Sequence, residues 1–350
     1  MTNYDKICQA SRQLSTAEQI KVLQYIESLQ NGDGGVDRTS SSEPETSSKE
    51  NQVQQERKIC PHCSSKNVIK YGHKRGKQRY YCKDCETLFM VTTGTIMAHS
   101  HYDESIWREV LADTINGFIP LDKTADRLGL SHNTAFNMRH KALMSMEKKE
   151  KMSPVVLQEI SELDETYVLE SFKGIKLPIN VGRKPRKHGA KAKMRGISNE
   201  QICIMAGVQR NGGPAYATTI NRAHPSKDEI ERAFKDHIDT GCVAFTDGLK
   251  GYKHLESVID CVVESVSVES QKNSGTANLN NVNGFHSFIQ ERYEHYRGVA
   301  THYINRYNAL FALAFRAKES ISNIIDSILH GTDTGSFSYW DVKNSALVNL

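Results

Sequence analysis

Ile160-Ser-Glu-Leu-Asp-Glu-Thr-Tyr-Val168 is the stretch on which the reading of this chain turns. From about residue 157 the pattern changes to strands and helices mixed, and this segment reads as the first strand. Two apolar runs follow, QICIMAGV (201–208) and AYATTI (215–220), on either side of Arg210-Asn211-Gly212-Gly213. An Asn-Gly pair between apolar runs predicts a β-hairpin. SKDEIERAFKDHI (226–238) predicts a helix: Ser226 and Glu229 form a capping box, and Ile230, Ala233, Phe234 and Ile238 share one face. CVAF (242–245) is a short buried strand ending at Thr246-Asp247-Gly248. YKHLESV reads as a turn or two of helix and CVVESV as another strand, and helical pattern returns at 281–295 and 301–329.

The order is strand, hairpin, helix, strand, helix, strand, helix, which is that of a ribonuclease-H-like fold. In such a sheet the first and fourth strands are neighbours. Asp164 and Asp247, 83 positions apart in sequence, would then meet at one edge. Two carboxylates there suit Mg2+ or Mn2+, hard cations that take oxygen ligands. Two such ions about 4 Å apart activate a water or a 3′-hydroxyl and stabilise the leaving oxygen of a phosphodiester. Either Asp alone is as readily a turn residue or cap; their joint placement singles them out. A third group must come from the helix at 281–295, where Asn283, His286, Gln290 and Glu294 share a face. Asn283 stands closest to the helix start, and its amide oxygen can coordinate a cation without adding charge. Strand alternation points Glu165 to the opposite face from Asp164, so Glu165 is not expected to be a ligand.

Upstream, Cys60-x2-Cys63 and Cys82-x2-Cys85, with eighteen residues between the pairs, suit four thiolates around one structural zinc. Free or redox-active thiols are the alternative. Lys70, Lys74, Arg75, Lys77 and Arg79 make this module basic, either to touch phosphates or simply as a solvated face. Tyr80, Tyr81 and Phe89 could stack on bases or form the module's small core. Residues 102–148 predict three helices. Ala125 lies four residues before Gly129, where a turn is needed, and Ser131 can cap the next helix. That helix would present His132, Asn133, Thr134, Asn137 and Lys141, with Ala135, Met138 and Ala142 facing inward. Polar side chains early in such a helix suit base-edge reading in the major groove, although a plain three-helix bundle fits the same pattern.

The 350 residues allow two or three domains. Residues 1–29 read as a short helical segment, and 30–57, with Val36 and Val53 as its only apolar residues, as a flexible linker. The expected organisation is thus multidomain α+β/α/β: the zinc module at 58–93, a helix-turn-helix at 102–148, a ribonuclease-H-like domain at 157–330 and a tail at 331–350. The formal charge of +4 conceals a local excess. Residues 183–195 carry seven cations, Arg183, Lys184, Arg186, Lys187, Lys191, Lys193 and Arg195; without them the balance would be −3. Local basicity of this kind suits a polyanion. No apolar run approaches the roughly 18 residues of a membrane span, and the N-terminus lacks a signal-peptide profile. Apart from the two pairs, Cys8, Cys203, Cys242 and Cys261 are scattered, as in a reducing cytoplasm.

Taken in order, the zinc module, the helix-turn-helix, LDETYV, RKPRKHGAKAKMRGIS, FTDGLKGY and VNGFHSF followed by RGV resemble bacterial insertion-sequence transposases of the DDE class, in the group with an N-terminal zinc ribbon. The resemblance spans about residues 58–320. It implies Mg2+-dependent nicking of element ends and joining of the freed 3′-hydroxyls to target DNA. It places the family's first two acids on Asp164 and Asp247 and the third position on Asn283. Members with Asn there carry Lys seven residues later, a phosphate contact, where this chain has Gln290. It also implies terminal inverted repeats and target DNA as partners, a homodimer or higher oligomer on DNA, no membrane, and a location in the bacterial cytoplasm at the nucleoid. A catalytically silent DNA-binding protein derived from such an enzyme, and a structure-selective nuclease without strand transfer, are the competing readings.

Overall fold

The computed structural model describes residues 59–74, 76–174, 191–267, 277–296, 298–315, 320–331 and 336–344. The chain divides into two units between Glu56 and Arg57, and all described residues belong to the second. The expected helix at 1–29, the linker at 30–57, and Arg183, Lys184, Arg186 and Lys187 of the basic stretch lie outside the described residues.

Among the described residues the strands form two sheets. The first is antiparallel, β1 (Val68–Lys74), β2 (Lys77–Cys82) and β3 (Leu88–Met90), in that order. Its core is small: Tyr80 and Phe89 stack with ring centroids 5.6 Å apart beside buried Cys60 and Cys82. Three helices follow, α1 (Glu104–Ile115), α2 (Leu121–Leu128) and α3 (His132–Met152). Gly129 ends α2 in the left-handed conformation at φ 61°, which permits the tight α2–α3 turn. Ser131 then caps α3 by accepting from the Thr134 N–H.

The second sheet has the order β6-β5-β4-β7-β8, from β4 (Ile160–Leu169), β5 (Gln201–Gln209), β6 (Ala215–Arg222), β7 (Val243–Thr246) and β8 (Val262–Ser265). β4, β5 and β6 run antiparallel, while β7 and β8 pair in parallel, so the first and fourth strands of this part are neighbours as the pattern required. The β5–β6 turn has φ 56° at Asn211 and 72° at Gly212, the pair of positive values that a two-residue hairpin of matching twist demands. β5 is apolar and buried from Ile202 to Val208 because both its faces are covered. On one side lie α4 (Lys227–Phe234) and the short α5 (Leu255–Ile259); on the other lie α6 (Asn280–His295) and α7 (Ile304–Phe315). α8 (Ile321–His330) and α9 (Tyr339–Asn344) complete the described chain. Within 331–350, read from sequence as a tail, α9 buries Val342, whose carbonyl accepts from the buried Arg306.

The three helices are not separate from the second sheet. Trp107, Leu111, Met138 and Leu143 share one hydrophobic cluster with Ile204, Phe285 and Phe311. Arg139 of α3, 2% exposed, donates to Thr114 of α1 and to Ile119 and Thr124 around α2, and its guanidinium lies 5.2 Å from the Tyr296 ring. The Tyr296 hydroxyl in turn donates to the Thr114 carbonyl. A desolvated guanidinium is tolerable because its donors are satisfied.

Packing across β5 is tight enough to test. A Cβ at Gly207 would come 2.5 Å from Leu157 Cδ1 and 3.1 Å from Leu163 Cδ2. Gly207→Ala is expected to lower stability by about 1–3 kcal/mol, read as a fall in the denaturation midpoint with an unchanged denaturant slope.

Candidate functional site

The site is built where the β4–β7 seam comes apart. Pairing between these strands covers Ile160↔Val243 to Glu162↔Phe245, and β7 ends at Thr246. Past that point, among the described residues, β4 has no paired strand on its β7 side, and the chain turns away through Asp247 and Gly248, the latter at φ 93°. Asp164, Glu165 and Asp247 reach into this opening, each with an oxygen within 4.8 Å of the others. Glu165 is the residue that sequence alternation excluded. The alternation itself holds: both residues stay paired to β5, with Asp164 on the side of His286 and Glu165 on the side of Tyr252. Their carboxylates meet around the strand edge that β7 leaves open. Tyr252, fully buried in the turn after β7, donates its hydroxyl to Glu165 at 3.1 Å and holds the carboxylate there. The signal available in the sequence was the Asp-Glu pair beside so short a fourth strand.

The electrostatics follow from crowding and burial. Burial, and then the neighbouring Glu165 and Asp247 carboxylates, push Asp164 up to about 7. Glu165 is raised for the same reasons, burial first and Asp247 second. His286 of α6 stands opposite, its Nδ1 3.7 Å from Asp164 Oδ2. Burial holds His286 down at about 4, so the ring is neutral at pH 7 and brings no compensating charge. Its Nε2 is buried and has no hydrogen-bond partner among the described residues.

Two residues before Asp164, Glu162 is fully buried on the face of β4 that meets α6. Its carboxylate accepts from the Asn281 N–H at 2.7 Å, the Val282 N–H at 3.0 Å and the Asn281 side chain at 2.8 Å. Arg210 Nε lies 2.7 Å away on the other side. Leu279, at the cap position of α6, has no side chain able to cap, so a strand carboxylate takes that role. This fixes α6 across β4: His286 comes to Asp164, and Gln290 Nε2 donates to Thr166 Oγ1 at 3.0 Å.

The remaining sequence candidates are placed as follows. Asn283 is exposed in the first turn of α6, one turn before His286; among the described residues no hydrogen bond joins its side chain to Asp164 or Asp247. Gln290 is engaged with Thr166. On α3, His132 and Asn133 are exposed, with His132 Nε2 3.2 Å from Asp122. Thr134 is taken up in the cap, Asn137 is half-buried, and burial lowers Lys141, which faces Asp341. Lys191 and Arg195 are described, Arg195 exposed, and the Lys193 backbone N–H donates to Glu200.

In the first sheet the four cysteines converge without disulfides. Cys60 and Cys85 sulfurs are 3.5 Å apart, Cys63 and Cys82 3.6 Å, and one sulfur from each lies within 4.8 Å of all the others. Four sulfurs about 2.3 Å from a tetrahedral zinc would be spaced by about 3.8 Å, so the donor set fits that ion. The His62 N–H donates to Cys60 Sγ at 3.4 Å, as a Cys-x-x-Cys knuckle requires.

Residues 156–317, the stretch holding the five-stranded sheet and α4 to α7, match the ISXO2-like transposase domain. An uncharacterised protein in the transposable element ISH50 of Halobacterium salinarum is 24% identical over 280 residues, 77% of this chain and 91% of the relative. Among solved structures, the Mos1 strand transfer complex is 11% identical with a TM-score of 0.27, over 68% of this chain and 79% of that one. The simian T-cell lymphotropic virus intasome with a PP2A regulatory subunit is also 11% identical with a TM-score of 0.27, over 63% and 68%. Likeness this loose says nothing of residue correspondence. Among the described residues no helix is long and apolar enough to cross a membrane.

The raised Asp164 gives a pH test of the metal-free site. An acid whose folded-state pKa lies near 7 rather than 3.8 binds more protons folded than unfolded between those values. Its contribution to stability is therefore lost as pH rises from about 4 to 7. Without divalent metal, the melting temperature of Asp164→Asn relative to the unaltered protein should climb across that window. A difference independent of pH would show that Asp164 titrates normally.

Proposed function

We propose that this chain is a DNA transposase of an insertion sequence, binding element ends and catalysing metal-dependent strand cleavage and strand transfer on a ribonuclease-H-like core at 157–330. The observation that supports it most is the convergence of Asp164, Glu165 and Asp247 at the split seam within a transposase domain. These oxygens would hold Mg2+ or Mn2+, two ions in the proposed chemistry, with the exposed Asn283 amide at the start of α6 as the neutral third ligand. When bound, the ions activate the attacking oxygen and stabilise the leaving 3′-oxygen of the phosphodiester. The protein's own part is to hold three carboxylates ready, with Tyr252 fixing Glu165 and Glu162 fixing the helix that carries Asn283 and His286.

The DNA-binding parts are proposed on the same footing. Cys60, Cys63, Cys82 and Cys85 hold a structural zinc in a ribbon at 58–93. The α2–α3 pair within 102–148 acts as a helix-turn-helix that enters a major groove through His132 and Asn133 at the start of α3, with Thr134, Asn137 and Lys141 behind them. The cations from Arg183 to Arg195 contact phosphates near the carboxylates, and Gln290 approaches the strand being cut. Two DNA ends handled together call for a homodimer or larger assembly on the DNA, in the cytoplasm at the nucleoid.

Incubation of the zinc-loaded protein with Mg2+ or Mn2+ and DNA carrying the inverted repeats beside its gene tests this. End cleavage with joined product is expected; specific binding without cleavage in either metal would instead favour a silent DNA-binding protein. Asp164→Ala and Asp247→Ala should each lower cleavage by at least about 100-fold with end binding retained. Glu165→Gln should raise the Mn2+ concentration giving half-maximal cleavage, whereas Asn283→Ala should lower the rate.

Zinc removal gives a separate check. Chelation should unfold the four-cysteine module and weaken DNA binding, and unchanged affinity after complete zinc loss would refute that assignment.

A further inference from the structure

The two faces of the three-stranded sheet differ in character. One carries Tyr80 and Phe89 over the cysteines and is buried. On the other, strand register sets Ile69, Tyr81 and Leu88 opposite one another across all three strands. The next row pairs Arg79 with Met90, and Tyr71 lies beside it: the Tyr71 and Tyr81 rings are 5.6 Å apart, with the Arg79 guanidinium 5.7 Å from the Tyr71 ring. Ile69 is 40% exposed, Tyr71 50% and Leu88 46%. A module this small rarely leaves an aromatic and aliphatic row uncovered without a use.

Charge indicates the occupant. Among described residues 59–90, Lys66, Lys70, Lys74, Lys77, Arg79 and Lys83 face only two acids, Asp84 and Glu86. Asp84 is already engaged by Ser65 and Asn67. A zinc held by four thiolates adds a formal −2 on the opposite face, so the module stays positive. Apolar rings interleaved with cations fit unpaired nucleotides, whose bases offer open π-faces above a phosphate chain. A duplex offers only phosphates and groove edges and would leave the aromatic row uncovered.

We infer that this outer face is a stacking platform for unpaired DNA: Tyr71 and Tyr81 receive bases, Ile69 and Leu88 pack on base and sugar edges, and Lys74 and Lys77, paired at the hairpin end of the same face, follow the backbone. Arg79 lies over the Tyr71 ring and serves either base or phosphate. The inference rests on the DNA-processing reading above and adds a second substrate form to it, single-stranded where the helix-turn-helix takes duplex.

The test uses full-length, zinc-loaded protein and a fluorescent single strand of about ten nucleotides, beside a duplex carrying the element end. Tyr71→Ala and Tyr81→Ala should each weaken single-strand binding on the order of 10-fold, with Tyr71→Phe near the unaltered value. Zinc content should stay at one per chain, and duplex-end binding should change less than about 2-fold, since α3 carries it. Single-strand affinity unmoved by Tyr71→Ala with zinc retained would overturn the inference. So would a Tyr71→Ala variant that instead dissociates a dimer in sedimentation, because the face would then be an interface between copies. Failure of the unaltered protein to bind either DNA form would remove the DNA reading and this platform together.

Discussion

The buried carboxylate of Glu162 is the constraint from which the five-stranded sheet and its helices are organised. Removing a carboxylate from water costs several kcal/mol unless charge and hydrogen bonds replace the lost hydration. Here they do: Arg210 comes from just past the end of β5, and two N–H groups come from the first turn of α6. The helix gains as well, since its first turn has orphan donors and no cap of its own. Arg210 also donates to the Asn278 carbonyl and lies 4.6 Å from the Phe245 ring, which ties the loop before α6 and strand β7 to the same point. One residue therefore sets the register of α6 on β4, and with it the approach of His286 to Asp164.

That register acts through a core continuous with the three upstream helices. Phe118, from the α1–α2 connection, meets Phe288 of α6 and Phe311 of α7 edge-on or tilted, and Arg292 of α6 lies 4.3 Å from both the Phe118 and Phe288 rings. Arg139 and Tyr296 close the same contact with hydrogen bonds. Helices that shared only a flexible tether with the sheet would not bury a guanidinium between them. The exposed start of α3 is thus held in fixed relation to the split seam.

Much of this was legible in the sequence, and the failures have a common cause. The hairpin at Asn211-Gly212, the capping box at Ser226 and Glu229, the Gly129 turn and the two Cys-x-x-Cys knuckles depend on residues near one another, and each formed where local chemistry placed it. The pairing of β4 with β7 followed from element order. What could not be read depends on where pairing stops. Glu165 joins Asp164 because β7 runs out after Thr246, and no period-two argument contains that length. Glu162 carries no local signal of its role, because its partners lie 48 and 119 positions away. Tyr81 and Phe89, alike in sequence, separated to opposite faces of one small sheet because register decides which ring meets the cysteines.

Carboxylates on β4 meet two different fates within a few residues. Glu162 is the most buried and is fully answered by a guanidinium and backbone donors. Asp164 and Glu165 are less buried, yet among the described residues no Lys or Arg pairs with them or with Asp247, and the one histidine beside Asp164 is neutral. A protein that needed these side chains only for stability would have no reason to crowd three acids and leave them unanswered, since Asp164 rises to about 7 as a result. The same crowding suits a site whose counter-charge arrives from outside as a divalent cation. It also bears on Asn283. An asparagine at the helix position leaves such a site one negative charge short when only Asp164 and Asp247 are counted; Glu165 restores the formal −3 from the strand. The missing acid on α6 is therefore no evidence of a dead site, because the charge it would have supplied is already present across the seam.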